Sequence, residues 1–153
     1  MALSIIIGLS LLALNVTIFY EILRLVLWLI SRNNFSLRPL MFISVTAIFS
    51  AHIFSILLYG TTYWFLVQNF GFQPLTGIDP NEFFGYIYFS AETYTSLGIG
   101  DVYPNGAMRL IACIEVLNGL MVIGWSVIFS YFAIQKLWDA HRVILDAEDE
   151  KLG

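Results

Sequence analysis

Charge is what this sequence has least of: only 12% of its 153 residues are Asp, Glu, Lys or Arg, while 59% are apolar in the AVILMFWYC sense. Soluble domains carry about 25% charged residues, and a chain of this size cannot hide so much apolar surface inside a globule. A water-soluble monomer is excluded. Basic charge is scarcer still, with seven Lys plus Arg against eleven Asp plus Glu. That excludes the basic, aromatic-interleaved stripe that nucleic acid requires. A single cysteine, Cys113, excludes an intrachain disulfide framework and a cysteine-rich metal site. No nucleophile elbow and no HExxH pattern is present, so no enzyme reading survives.

What the sequence does have is long apolar runs. The first extends from Leu3 to Ile30 and is broken only by Glu21 and Arg24. As a helix it is about 42 Å long, more than the roughly 30 Å hydrocarbon core of a bilayer. Met1-Ala2-Leu3-Ser4 offers no basic n-region, so residues 1–31 read as a retained peripheral transmembrane helix rather than a cleaved signal. Glu21 and Arg24, at i and i+3, are placed to pair on one face, and a lone Arg makes a poor voltage sensor. Residues 32–39 form a short polar loop, with Pro39 favouring a fresh helix start. A second span is expected over 40–67, where His52 is the lone ionisable group and reads as an interhelical hydrogen-bonding residue. Tyr59, Tyr63 and Trp64 cluster toward its end, as interfacial aromatics do. Asn15-Val16-Thr17 has the glycosylation pattern but lies within an apolar run, and that reading is discarded.

The composition then shifts. Residues 68–80 form a Pro- and Gly-containing turret. Asp79-Pro80-Asn81-Glu82 reads as a helix start, with Asp79 as N-cap, Pro80 at the first helical position and Glu82 completing a capping box. The helix expected over 81–95 is about 22 Å long, too short to cross, and suits a re-entrant segment buried in protein or lining a wet cavity. The third span is expected over 107–138, interrupted by Glu115, Asn118, Gly119 and Gly124, and residues 139–153 form a short acidic tail. Arg24, Arg32, Arg38, Lys136, Arg142 and Lys151 fall on one side of the membrane and Arg109 on the other. The positive-inside rule makes the first side cytoplasmic, with the N-terminus and the re-entrant segment facing out.

A short helix ending in Thr93-Tyr94-Thr95-Ser96-Leu97-Gly98-Ile99-Gly100-Asp101 directs its carbonyl end, worth roughly half a negative charge, into the membrane. A cation is stabilised there. Gly98 and Gly100 permit conformations that turn successive carbonyls to one side, and such carbonyls around an axis replace an ion's hydration shell. The stretch resembles the selectivity filter of potassium channels, T-x-x-T-V-G-Y-G-D, with Thr93, Ser96, Leu97, Gly98, Ile99, Gly100 and Asp101 in its positions. The resemblance spans the whole pore module of outer helix, pore helix, filter (96–101) and inner helix, over 40–138.

It implies an all-α membrane protein in which three further identical subunits complete a homotetramer in a lipid bilayer, with no nucleic acid partner. It also implies passive conduction of K+ across a plasma membrane. No organic cofactor is implied. K+ would sit at the carbonyls of Ser96, Leu97, Gly98 and Ile99, aided by the Ser96 hydroxyl, with Gly100 completing the filter. Asp101 would stand at the outer mouth, and Glu92, Thr95, Tyr88 and Phe89 would support the filter from behind. Ile99 replaces the family's aromatic and removes its brace, which leaves a weakly selective cation pore as the alternative, alongside a non-conducting membrane protein that keeps the fold.

Two carboxylates close together share a proton, so the resemblance suggests Glu92 paired with Asp101; Glu92 satisfying nearby backbone N–H groups is the other reading. Glu115, deep in the third span, must face protein or water. A hydrogen-bonded place behind the filter is favoured for it over a gating role. Gly119 sits where such inner helices bend, and either bending or close packing explains it. Whether the first helix packs on its own subunit or a neighbour stays open.

Overall fold

A computed structural model describes residues 1–32 and 37–152, which form four helices in the order α1 (Ala2–Arg32), α2 (Leu37–Phe70), α3 (Phe83–Tyr94) and α4 (Met108–Leu152). The chain is all-α. Stretches of three of these helices, Ala2–Leu29, Met41–Phe70 and Met108–Gln135, are long and apolar enough to cross a membrane. Half of the loop expected over 32–39 lies at 33–36, outside the described residues. Pro39 falls inside the first turn of α2 instead of preceding it, a position that tolerates proline because the first helical N–H groups have no intrahelical acceptor.

One of the expected boundaries is corrected. The short helix starts at Phe83, with Glu82 in the N-cap position and no side-chain cap. Asp79 is not its cap, because its carboxylate accepts the N–H of Asn81 at 2.8 Å and its carbonyl accepts that of Glu82 at 2.9 Å. Those bonds close a turn of their own, and the helix opens only after it. At the other end of the chain, the acidic tail expected after Trp138 is a helix end, continuous with α4 to Leu152.

The core lies between α2, α3 and the start of α4. Tyr59, Tyr63, Tyr86, Phe89, Met108 and Ile111 are buried together there, and the rings of Tyr63 and Phe89 meet edge-on at 5.3 Å. Helix α1 packs on α2 and α4 of the same chain: Leu11 joins this core, and Phe19 is buried with Ala51 and Val122 in a second cluster. Glu21 and Arg24 form the expected ion pair, at 2.7 Å. The connection from α2 to α3 is tied to the connection from α3 to α4 by an antiparallel bridge, with Thr76 and Tyr103 exchanging N–H···O bonds of 3.0 Å in both directions. Gly77 makes this approach possible. Its φ is +102°, and a Cβ there would lie 2.1 Å from the Asp101 carbonyl oxygen.

Candidate functional site: the strand after the short helix

Helix α3 ends at Tyr94, and Thr95 closes it by donating its backbone N–H and its hydroxyl to Ala91 O at 3.2 and 2.7 Å. Its carbonyl end therefore faces the strand that follows. In that strand φ is positive at Ser96 (+59°), Gly98 (+56°) and Gly100 (+86°), at every second residue. Ser96 is the non-glycine residue among the three, in a region that a Cβ disfavours.

The hydrogen bonds orient the strand. The N–H groups of Leu97 and Gly98 donate to the Glu92 carbonyl at 2.8 and 3.3 Å, and that of Ile99 donates to the Glu92 carboxylate at 3.1 Å. Three successive N–H groups thus turn toward one residue. In a trans peptide the carbonyl points opposite to the N–H of the same plane, and no cis peptide occurs among the described residues. The carbonyls of Ser96, Leu97 and Gly98 are therefore presented on the face away from Glu92. That face is open: residues 95–101 are exposed, with Leu97 at 66% and Ile99 at 59%.

Glu92 itself is 4% exposed, held in the concavity that the backbone makes. It does not hydrogen-bond Asp101. The Asp101 carboxylate instead receives the Tyr88 hydroxyl, at 3.1 and 3.2 Å to its two oxygens, and the N–H of Val102 at 3.0 Å. The suggested carboxylate pair is thus replaced by two separate supports, one at each end of the strand. Phe89 is buried against Tyr63 and lines a groove together with Ser96 and Gly98.

Behind α3, Glu115 is wholly buried and joins three helices. Its two carboxylate oxygens accept the hydroxyls of Tyr63 from α2 at 2.6 Å and of Ser90 from α3 at 2.5 Å. Gly119, one turn further along α4, lies so close to the end of α3 that a Cβ would sit 2.0 Å from the Tyr94 carbonyl oxygen. Close packing is the observed role of this glycine. His52 makes the expected interhelical bonds, with Nδ1 3.0 Å from the Tyr94 hydroxyl and Nε2 2.9 Å from Ser126 Oγ.

Several polar contacts were not legible in the sequence as a site. Asn15 accepts the Ser55 hydroxyl at 2.7 Å, and Asn118 donates to the Tyr59 hydroxyl at 2.9 Å, all within apolar runs. The available signal is the one used for Glu115: a polar side chain at mid-span must find a partner in protein.

A groove of about 560 Å³ lies between the back of the strand and α4, with Glu92, Ser96, Arg109 and Cys113 among its lining residues. In comparison with known proteins, the family model for ion channels matches residues 51–134, more than half of the chain and all of α3, the strand and the spanning part of α4 save its end. No curated protein and no solved structure gives a match.

Proposed function

We propose that this chain, which belongs to the ion channel family, assembles as a homotetramer around the 96–101 strand and conducts K+ passively across a plasma membrane. One observation carries the reading. Three consecutive N–H groups turn to Glu92, so the carbonyls of Ser96, Leu97 and Gly98 face the other way, into open space. Carbonyls held in a row and backed by a carboxylate-anchored backbone are the ligands that replace water around a cation. The carbonyl end of α3 adds negative potential at the base of the row.

A single chain offers each cation one wall of such a cage. Four copies around an axis close it, which gives the exposed Leu97, the exposed Ile99 and the groove beside Arg109 and Cys113 neighbours to pack against. The Ser96 hydroxyl and the Ile99 carbonyl extend the row, Gly100 ends it and Asp101 stands at its mouth. In this arrangement the loop between α1 and α2 and the end of α4 are cytoplasmic, as the distribution of Lys and Arg requires.

A weakly selective cation pore is the second reading, favoured by Ile99, whose exposed aliphatic side chain has no hydroxyl with which to brace the strand. Vesicles loaded with K+ and diluted into Na+ medium separate the two readings. Reconstituted protein that selects K+ drives the vesicle interior negative, reported by a potential-sensitive dye. A non-selective pore produces no lasting potential.

A further inference from the structure

Five polar side chains meet at mid-span, where membrane helices have least reason to carry them. Asn15 comes from α1, His52 and Ser55 from α2, Tyr94 from the last turn of α3 and Ser126 from α4. Asn15, Ser55 and Tyr94 are 1% exposed and Ser126 is 6% exposed, so their polar groups need partners inside the protein.

The contacts fall in two groups one turn apart on α2. The Ser55 hydroxyl shares its one proton between Asn15 Oδ1 at 2.7 Å and Ala51 O at 2.9 Å. The Tyr94 hydroxyl meets His52 Nδ1, and His52 Nε2 meets Ser126 Oγ. Ser126 gives its own proton to Val122 O at 2.8 Å. Nε2 therefore carries the proton of a neutral imidazole, and Nδ1 accepts from Tyr94. The His52 ring also lies 5.7 Å from that of Phe19 on α1. Together the two groups join all four helices.

Tyr94 is the member that adjoins the carbonyl row. Its own carbonyl is approached by Gly119, and two residues later Ser96 has already entered the positive-φ region. A residue whose backbone packs closely on α4 at Gly119 and whose hydroxyl is bonded by His52 of α2 has little freedom to rotate. Whatever moves it moves the start of the strand.

We infer that His52 and Ser126 are positioning residues for the filter, acting through Tyr94, that Asn15 and Ser55 hold α1 against the neighbouring turn of α2, and that α1 is by this route a working part of the pore. The inference deepens the channel reading above and rests on it. Asn15→Leu, Tyr94→Phe and Ser126→Ala each remove one link while keeping most of the side-chain volume. Thr17→Val is the control, since Thr17 lies exposed on α1 and bonds only to Ala13 O in its own helix.

Each variant of the full chain is reconstituted in planar bilayers, and two per-channel quantities are read: unitary conductance in symmetrical K+, and the K+ to Na+ permeability ratio. The expected result is a change of about two- to tenfold in one of them for each relay variant, the span that one net hydrogen bond covers, with Thr17→Val at the wild-type value. The Tyr94→Phe, Ser126→Ala double variant should change less than the two singles combined, because both cut one path through His52. A role limited to holding helices together would lower yield and thermal stability and leave both per-channel quantities unchanged. That result overturns the inference. Should Tyr94→Phe fail to assemble, Asn15→Leu and Ser126→Ala decide the matter, as neither alters α3. A wild-type chain that passes no cation current removes the channel reading itself, and is thereby told apart from a failure of the relay.

Discussion

The Glu92 carboxylate accepts the backbone N–H of Ile99 at 3.1 Å, while the carbonyl of the same residue accepts those of Leu97 and Gly98. One residue of the short helix therefore sets the orientation of three peptide planes in the strand that follows. Helix and strand are a single mechanical unit.

Glu92→Ala removes the bond to Ile99 and leaves the two bonds to the backbone carbonyl. A hydrogen bond to a charged group is worth about 1.5–3 kcal/mol, so the population of correctly oriented Ile99 peptides should fall about tenfold or more. Single-channel recording should show altered open probability in a tetramer that still assembles on a native gel. Glu92→Gln keeps an acceptor and should have a milder effect. Unchanged gating in Glu92→Ala would contradict this role.

Gly119→Ala and Gly124→Ala should diverge although both lie in α4. The first places a methyl 2.0 Å from the Tyr94 carbonyl oxygen, and the second places it in open space. Overpacking of the first kind costs about 1–3 kcal/mol, whereas Ala for Gly in a helix interior gains up to about 1 kcal/mol. Thermal unfolding in detergent should fall for Gly119→Ala and hold or rise for Gly124→Ala.

Glu115 gathers the hydroxyls of Tyr63 and Ser90. Glu115→Ala leaves the buried Tyr63 hydroxyl without an acceptor, at about 1–3 kcal/mol, while Ser90 keeps the Ile56 carbonyl at 2.9 Å. Glu115→Gln retains an oxygen for one hydroxyl and should lose less than half as much. The thermal midpoints of the two variants in detergent measure the difference, and equal losses would show that packing rather than hydrogen bonding makes the side chain necessary.

Gly77→Ala should loosen the outer mouth. The position combines a φ of +102° with a 2.1 Å approach to the Asp101 carbonyl oxygen, so the substitution forces the bridge between Thr76 and Tyr103 apart. Faster amide exchange at these two residues, with the spans unaffected, is the expected signature.

The three spans were legible because run length and the near-absence of charge are direct consequences of a hydrocarbon solvent. The start of α3 was not. Asp79-Pro80-Asn81-Glu82 has the composition of a capping box, but Asp79 spends its carboxylate on Asn81 within a separate turn, and local pattern does not reveal which of two N–H groups a carboxylate takes. Glu115 announced itself by depth, yet its partners Tyr63 and Ser90 lie on other helices and depend on packing. Asn15 shows the same limit, since its apolar context ruled out the glycosylation pattern without revealing its partner Ser55. Gly77 read as one more turret glycine because the carbonyl that requires it belongs to Asp101, across the bridge.

The central claim is that the carbonyls of the 96–101 strand select K+. The most direct test is the reversal potential of the purified, reconstituted chain in a planar bilayer with K+ on one side and Na+ on the other. A value near the K+ equilibrium potential is predicted, and a value near zero with clear current would contradict it.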